Sequence, residues 1–438
     1  MYRPAQEELA KWRTAPRRKP LVVRGARQVG KTWLVEHFAT SEFDSLVKVD
    51  LEKRRDLHVH FGDNLDPVAI VRHLELDSGK RIIPGRSLLF LDEIQACPRA
   101  IMALRYLYEQ MPDLHVIAAG SLLEFAMGEI SVPVGRLQYL HLYPMTFREY
   151  LLGIGNEVAA EYVAQHPSEV DEGVQRQLLT ELKAYFFIGG MPESVKAYRD
   201  SGSMLEAFSV QAEILASYRE DFAKYTPRVD RTCLDAVLLN VARQVGEQIK
   251  YTRLDDNHSG PTNTRAFDVL RKARVIHKIS SCDPSGLPLG ASANERRFKA
   301  AMLDIGLLQC LCQVPVDLEL RQSNLLAMYR GKLAEQFVAQ ELTACHSSEL
   351  FYWARGTRGS SAEVDYLVVR NGQILPIEVK SGAGGSLRSL HLMLSRYTNC
   401  PEGLVLYSGT YASLPEKRIT FLPLYYAASA GDLRPGVV

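Results

Sequence analysis

Eight consecutive residues have the types and spacing for phosphate chemistry. Gly25-Ala26-Arg27-Gln28-Val29-Gly30-Lys31-Thr32 fits G-x-x-x-x-G-K-[ST] at every fixed position. Gly25 and Gly30 let the backbone fold tightly around an anion. Backbone N–H groups then converge on the phosphates, helped by the positive end of a helix starting near Lys31. Lys31 would reach the β- and γ-phosphates as a point charge, and the Thr32 hydroxyl would ligate Mg²⁺. A second group follows at Ser87-Leu88-Leu89-Phe90-Leu91-Asp92-Glu93, an apolar run ending in two carboxylates. This is the pattern of a Walker B strand. Asp92 is the expected Mg²⁺ ligand and Glu93 the group that orients and deprotonates the attacking water. Residues 115–119 form another apolar run ending in Gly120-Ser121, where Ser121 can sense the γ-phosphate or hold the lytic water. Arg136 can neutralise phosphate charge, in its own chain or in a neighbouring subunit, or simply pair with a nearby carboxylate. The guanine-reading N-K-x-D motif is absent from the sequence, which favours ATP over GTP.

A third constellation lies near the C-terminus, from Ala362 to Lys380. Two apolar-rich runs flank Asn371-Gly372, a strong hairpin signal. With that dipeptide as a two-residue turn, Arg370 pairs with Gln373. Asp365 then falls opposite Glu378, and Glu363 opposite Lys380, all on one face. Like charges placed opposite destabilise a sheet, and a divalent cation would remove the repulsion. Pro376 falls in a non-hydrogen-bonded pair and costs no ladder bond. The D…E-x-K spacing is the PD-(D/E)XK nuclease signature. In it Asp365 and Glu378 would bind metal, while Lys380 assists the nucleophile or oxyanion. The other reading is an ion-paired hairpin, Glu363 with Lys380, in a fold without catalysis.

These groups need strands and helices to place them. Residues 21–23 read as the strand feeding the phosphate loop, 33–38 as the helix after it, and 46–51 as a further strand. Residues 4–14 read as an amphipathic helix, followed by the basic linker Arg17-Arg18-Lys19. From 143 to 224 the pattern is helical, interrupted by a structural turn at Gly189-Gly190-Met191-Pro192. Residues 231–280 read as helix, turn, helix and strand, an order that suits a winged helix-turn-helix. Thr262, Asn263, Arg265, Arg271, Lys272 and Arg274 supply donors there, for DNA or for packing between domains.

Composition narrows the classes. A chain of 438 residues allows roughly three domains. Its hydrophobic and charged fractions, 46% and 24%, are those of a globular protein. A net charge of +1 announces no polyanion partner, so basic surface must be local. Seven cysteines without paired C-x-x-C units argue against zinc and for reduced thiols. Cys310 and Cys312 read as core, and His58 and His60 as surface residues. No apolar leader or run of about 18 apolar residues appears, which predicts a cytoplasmic protein without a membrane contact.

The phrases GARQVGKT, LLFLDEIQ, AAGSLLEF, GR…LHLYPMTFREYL and YFFIGGMPESV resemble the prokaryotic AAA-type ATPase family fused to a C-terminal domain of unknown function. The resemblance covers nearly the whole chain. It implies a P-loop ATPase fold, ATP binding, and a C-terminal region similar to PD-(D/E)XK nucleases. By this resemblance Glu335 matches an extra acidic residue of the nuclease fold. Residues 356–359, with Arg355 and Arg358, match a phosphate-facing loop. Val364 departs from the motif's proline.

The expected architecture is α/β: an AAA-type core at 1–150, a helical lid at 151–225, a winged-helix module at 226–315 and a restriction-endonuclease-like domain at 316–438. The expected function is Mg²⁺-dependent ATP hydrolysis coupled to a DNA-interacting, nuclease-like domain. The alternative is an ATP-dependent switch that binds a protein or DNA partner without cutting.

Overall fold

Short apolar runs that end in glycine or polar residues become parallel strands in the first part of the chain. The computed structural model describes all residues except 1, 63, 128–134, 166, 168–169, 226–228, 315–330, 347–348, 356–361, 381–385 and 432–438. These residues form two units, Met1–Tyr143 with Lys272–Arg274, and Pro144–Arg271 with Val275–Val438.

In the first unit the order is α1 (Ala5–Thr14), β1 (Leu21–Arg24), α2 (Lys31–Glu42), β2 (Ser45–Asp50), α3 (Pro67–Ser78), β3 (Ser87–Asp92), α4 (Pro98–Gln110), β4 (His115–Gly120), α5 (Leu123–Met127) and β5 (Gln138–His141). The sheet is wholly parallel, in the order β2-β3-β4-β1-β5. Every residue of β3 and β4 is buried. That explains why both read as continuous apolar runs without alternation. Val47, Val49, Leu89, Leu91 and Val116 share one core with Ile70, Leu74, Ile101 and Leu104 of α3 and α4. Each such side chain contributes about 1.5–3 kcal/mol through burial.

The second unit continues with α6 (Phe147–Gly153), α7 (Glu157–Ala164), α8 (Glu172–Ile188), α9 (Pro192–Ser201), α10 (Met204–Tyr225), α11 (Arg231–Arg243) and α12 (Gly260–Lys272), whose last residue is grouped with the first unit. Then come β6 (Ile276–Ser281), β7 (Asn294–Met302), α13 (Ile305–Leu311), α14 (Lys332–Cys345), β8 (Phe351–Ala354), β9 (Glu363–Arg370) and β10 (Gln373–Val379). α15 (Arg388–Arg396), β11 (Gly403–Tyr407), β12 (Ala412–Leu414) and β13 (Ile419–Pro423) complete it. Eight strands form one mixed sheet, β12-β13-β11-β10-β9-β8-β6-β7.

Two arrangements differ from the sequence expectation. The helices expected as a lid of the ATPase module fall in the second unit. Their aromatic residues require an apolar partner, and α14 supplies it: the Phe147 and Tyr185 rings meet Phe337 edge-on at 6.4 and 5.9 Å. The strands expected as a wing are instead the edge of the eight-stranded sheet. β6 runs parallel to β8, with Ser280 opposite Phe351, and pairs antiparallel with β7. Asn263, expected as a donor for DNA or packing, is fully buried and donates to the carbonyls of Tyr251 and Asp255. Arg271 pairs with Asp268 on its own helix. The turn at 189–192 is structural, because a Cβ on Gly190 would lie 2.1 Å from the Met145 carbonyl oxygen. Cys310 is buried as expected. Among the described residues no helix is long and apolar enough to cross a membrane.

Candidate nucleotide site and carboxylate cluster

In an open parallel sheet, ligands bind beyond the carboxyl ends of the strands. Here the order β3-β4-β1 sets three such ends side by side, with Val23 opposite Ala119 and Ala118 opposite Leu91. β1 delivers the loop 25–32, β3 delivers Asp92 and Glu93, and β4, between them, delivers Ser121. Gly25 must lack a side chain, since a Cβ there would meet the Leu142 carbonyl oxygen at 2.2 Å. Gln28 and Gly30 adopt φ of 63° and 93°, which turns the loop back into the start of α2.

Lys31 is buried and donates to the carbonyls of Gly25 and Ala26, at 3.1 and 2.8 Å. Burial lowers its pKa to about 8, against the opposing pull of Glu93 and Asp92. The Thr32 hydroxyl donates to Asp92 Oδ2 at 3.0 Å. Burial raises the Asp92 pKa, while Lys48 and Thr32 oppose that rise. Two hard oxygen ligands in direct contact, one of them a carboxylate, suit Mg²⁺, which takes one or two protein ligands plus phosphate and water. Glu93 follows with φ of 48°, a left-handed conformation uncommon outside glycine, and accepts a hydrogen bond from Gln95 Nε2 at 2.6 Å. Ser121 Oγ is buried and makes no hydrogen bond to any described residue, so it is free to receive a ligand oxygen.

Arg136 is elsewhere engaged. Its Nε donates to Glu109 at 2.9 Å, the ordinary pairing that the sequence left open. One basic residue of this site carries no motif of its own. Lys48 on β2 reaches Asp92 Oδ2 at 3.3 Å and Glu36 at 2.9 Å; a lysine inside an apolar strand was its sequence signal. Arg274 donates to Glu124 of α5 at 2.9 and 2.6 Å, and its Nη1 lies 2.8 Å from His141 Nδ1.

Residues 17–151 match the family described as AAA domain. Residues 179–321 and 330–427 match two families, each described as a domain of unknown function (DUF8612 and DUF4143). An uncharacterized protein of Methanocaldococcus jannaschii is 26% identical over 297 residues, covering 63% of this chain and 59% of its own length. The Walker-type ATPase of Pyrococcus abyssi aligns with a TM-score of 0.45 at 15% identity, over 70% of this chain and 95% of its own. The Thermotoga maritima RuvB Holliday junction branch migration motor aligns at 0.32 and 16% identity, over 65% and 90%. The first unit is similar to AAA ATPase domains. With the motif geometry, that match supports an AAA-type ATPase core and implies nucleotide binding.

In the second unit the hairpin has the register that Asn371-Gly372 dictates: Arg370 faces Gln373, Leu367 faces Pro376 and Tyr366 faces Ile377. Continued one step beyond its last observed pair, that register would set Asp365 opposite Glu378. Asp365 Oδ2 accepts from the Val379 amide at 2.8 Å. Lys380 Nζ donates to Glu378 Oε1 at 2.6 Å, while Glu378 Oε2 is buried without a hydrogen-bond partner among the described residues. Burial and the neighbouring Asp365 raise the pKa of both Glu335 and Glu378. The pair of Glu363 with Lys380 that the other reading invoked is not among the ion pairs of the described residues. Glu363 instead meets Lys299 of β7, whose Nζ lies 2.5 Å from Glu363 Oε1 and 3.4 Å from both Glu335 Oε2 and Asp365 Oδ1. Lys299 is 2% exposed, and burial alone would favour its neutral form. Asp365, Glu335 and Glu363 outweigh that and keep it charged. Residues 356–359, Arg358 among them, lie outside the described residues.

Proposed function

We propose that this chain is an ATP-driven switch, in which binding and hydrolysis of ATP·Mg²⁺ in the first unit govern how the second unit engages DNA or a protein partner. The hydrogen bond between Thr32 and Asp92 carries the reading, because it joins the ends of two motifs that are 60 residues apart. The loop amides and Lys31 hold the phosphates; Lys31 exchanges its two carbonyl acceptors for phosphate oxygens. Thr32 and Asp92 would hold Mg²⁺, which would supply positive charge against the phosphates. Ser121 takes a γ-phosphate oxygen or the lytic water. Glu93, released from Gln95, orients that water and accepts its proton as the γ-phosphoryl group leaves ADP. Purified protein should hydrolyse ATP with Mg²⁺, and Lys31→Ala should abolish binding and turnover. Turnover retained in Lys31→Ala would end the reading.

A second reading, metal-dependent cleavage by Asp365, Glu378 and Lys380, is favoured by their convergence on one hairpin. It expects cutting of single- or double-stranded DNA with Mg²⁺ or Mn²⁺ that is lost in Asp365→Ala and in Lys380→Ala. Intact DNA under all those conditions would leave the switch reading alone.

A further inference from the structure

The carboxylate cluster of the second unit brings four acidic side chains together. Glu335 comes from α14, Glu363 and Asp365 from β9, and Glu378 from β10. Such a group requires a counter-charge, and one is already supplied by the chain. Lys299 extends from β7 so that its ammonium stands 2.5–3.4 Å from oxygens of Glu335, Glu363 and Asp365. The Tyr352 ring centroid lies 5.3 Å from the same nitrogen, placing an aromatic ring beside it as well. A magnesium ion requires oxygens at about 2.0–2.1 Å in near-octahedral order. Set among these same oxygens, it would overlap the position of the ammonium and meet its positive charge at close range.

We propose that Lys299 is the resident cation of this cluster, seated among Glu335, Glu363 and Asp365, so that the folded domain takes up no divalent ion there. The residues D…E-x-K are present, but Asp365, one of the two carboxylates the motif would lend a metal, already faces an ammonium from a strand outside the motif. Removing the lysine charge should turn the cluster into a divalent-cation site. Glu335, Glu363 and Asp365 would each regain an oxygen. The inference stands independently of the ATPase reading and opposes the second, nucleolytic one.

The test is Mn²⁺ uptake by the nucleotide-free full-length protein, followed by electron paramagnetic resonance of free Mn²⁺. An Asp92→Asn background removes the metal ligand of the first unit. With Lys299 present, adding Asp365→Asn should leave Mn²⁺ uptake unchanged. Lys299→Met should gain one Mn²⁺ per chain, and Lys299→Met with Asp365→Asn should lose it again. Asp365-dependent uptake while Lys299 is present would overturn the proposal, and that arm stands even if Lys299→Met does not fold. A folded Lys299→Met protein that leaves Mn²⁺ free would overturn it too. Loss of ATPase in Lys31→Ala bears on neither result.

Discussion

In the proposed reading nucleotide affinity turns on Lys31, whose burial would tie that affinity to pH. Its pKa of about 8 lies below the usual value of 10.5 because the loop removes it from water. Phosphate oxygens favour the charged ammonium, so binding is linked to proton uptake wherever free Lys31 is neutral. ATP affinity should therefore be nearly flat below pH 8 and weaken by up to about tenfold per pH unit above it. Calorimetric titration from pH 7 to about 9.5, in two buffers of different ionisation enthalpy, would reveal both the weakening and the proton uptake. A flat profile would mean that Lys31 stays charged throughout. The placement of Lys31, Thr32 and Asp92 at strand ends was legible in the sequence because each lies in a contiguous motif whose flanking apolar run fixes its position. That of Lys48 and Lys299 was not, since each reaches its carboxylates from a different strand and no local spacing records the pairing.

Elements carry the second kind of legibility. The hairpin of β9 and β10 could be counted residue by residue, because a two-residue Asn-Gly turn leaves one register and side chains alternate by two. No such local rule told which sheet β6 and β7 would join; short apolar strands carry no address. The helices 147–225 posed the same difficulty, as an apolar stripe shows that a helix is covered but not by what. Their cover includes a buried carboxylate with a measurable consequence. Glu341 of α14 accepts a hydrogen bond from the Phe147 amide at 2.9 Å, and burial raises its pKa to about 8. Since the folded value exceeds the usual 4.5, the stability tied to its protonated form is complete below pH 4.5 and fades as pH rises through 8. Glu341→Gln keeps an acceptor for Phe147 and removes the charge. In urea unfolding it should match wild type near pH 5 and exceed it at about pH 8.5, by on the order of 1–3 kcal/mol. Equal stability at both pH values would show that the carboxylate is not desolvated as the packing requires.

At the scale of the whole chain, the covalent path itself links the two units. Lys272–Arg274 is grouped with the first unit, although most of α12 before it and β6 after it belong to the second. Arg274 has φ of 60°, and its guanidinium grips Glu124 and His141. Glu124 lies three residues beyond Ser121, the group proposed above to take a γ-phosphate oxygen or the lytic water. In the proposed switch, a shift at Ser121 on nucleotide binding would act on α5 and, through Glu124, on a residue whose backbone continues into both α12 and β6. Hydrogen exchange of peptides spanning residues 268–280 should change when ATP·Mg²⁺ is added to the wild-type protein. Lys31→Ala should show no change, because no nucleotide binds. Arg274→Ala should still bind ATP and still alter exchange around Gly30 and Lys31, yet lose the response at 268–280. If Arg274→Ala keeps that response, the signal travels by another route. If wild type lacks it while ATP is hydrolysed, the first unit is an ATPase but the switch does not run through this segment.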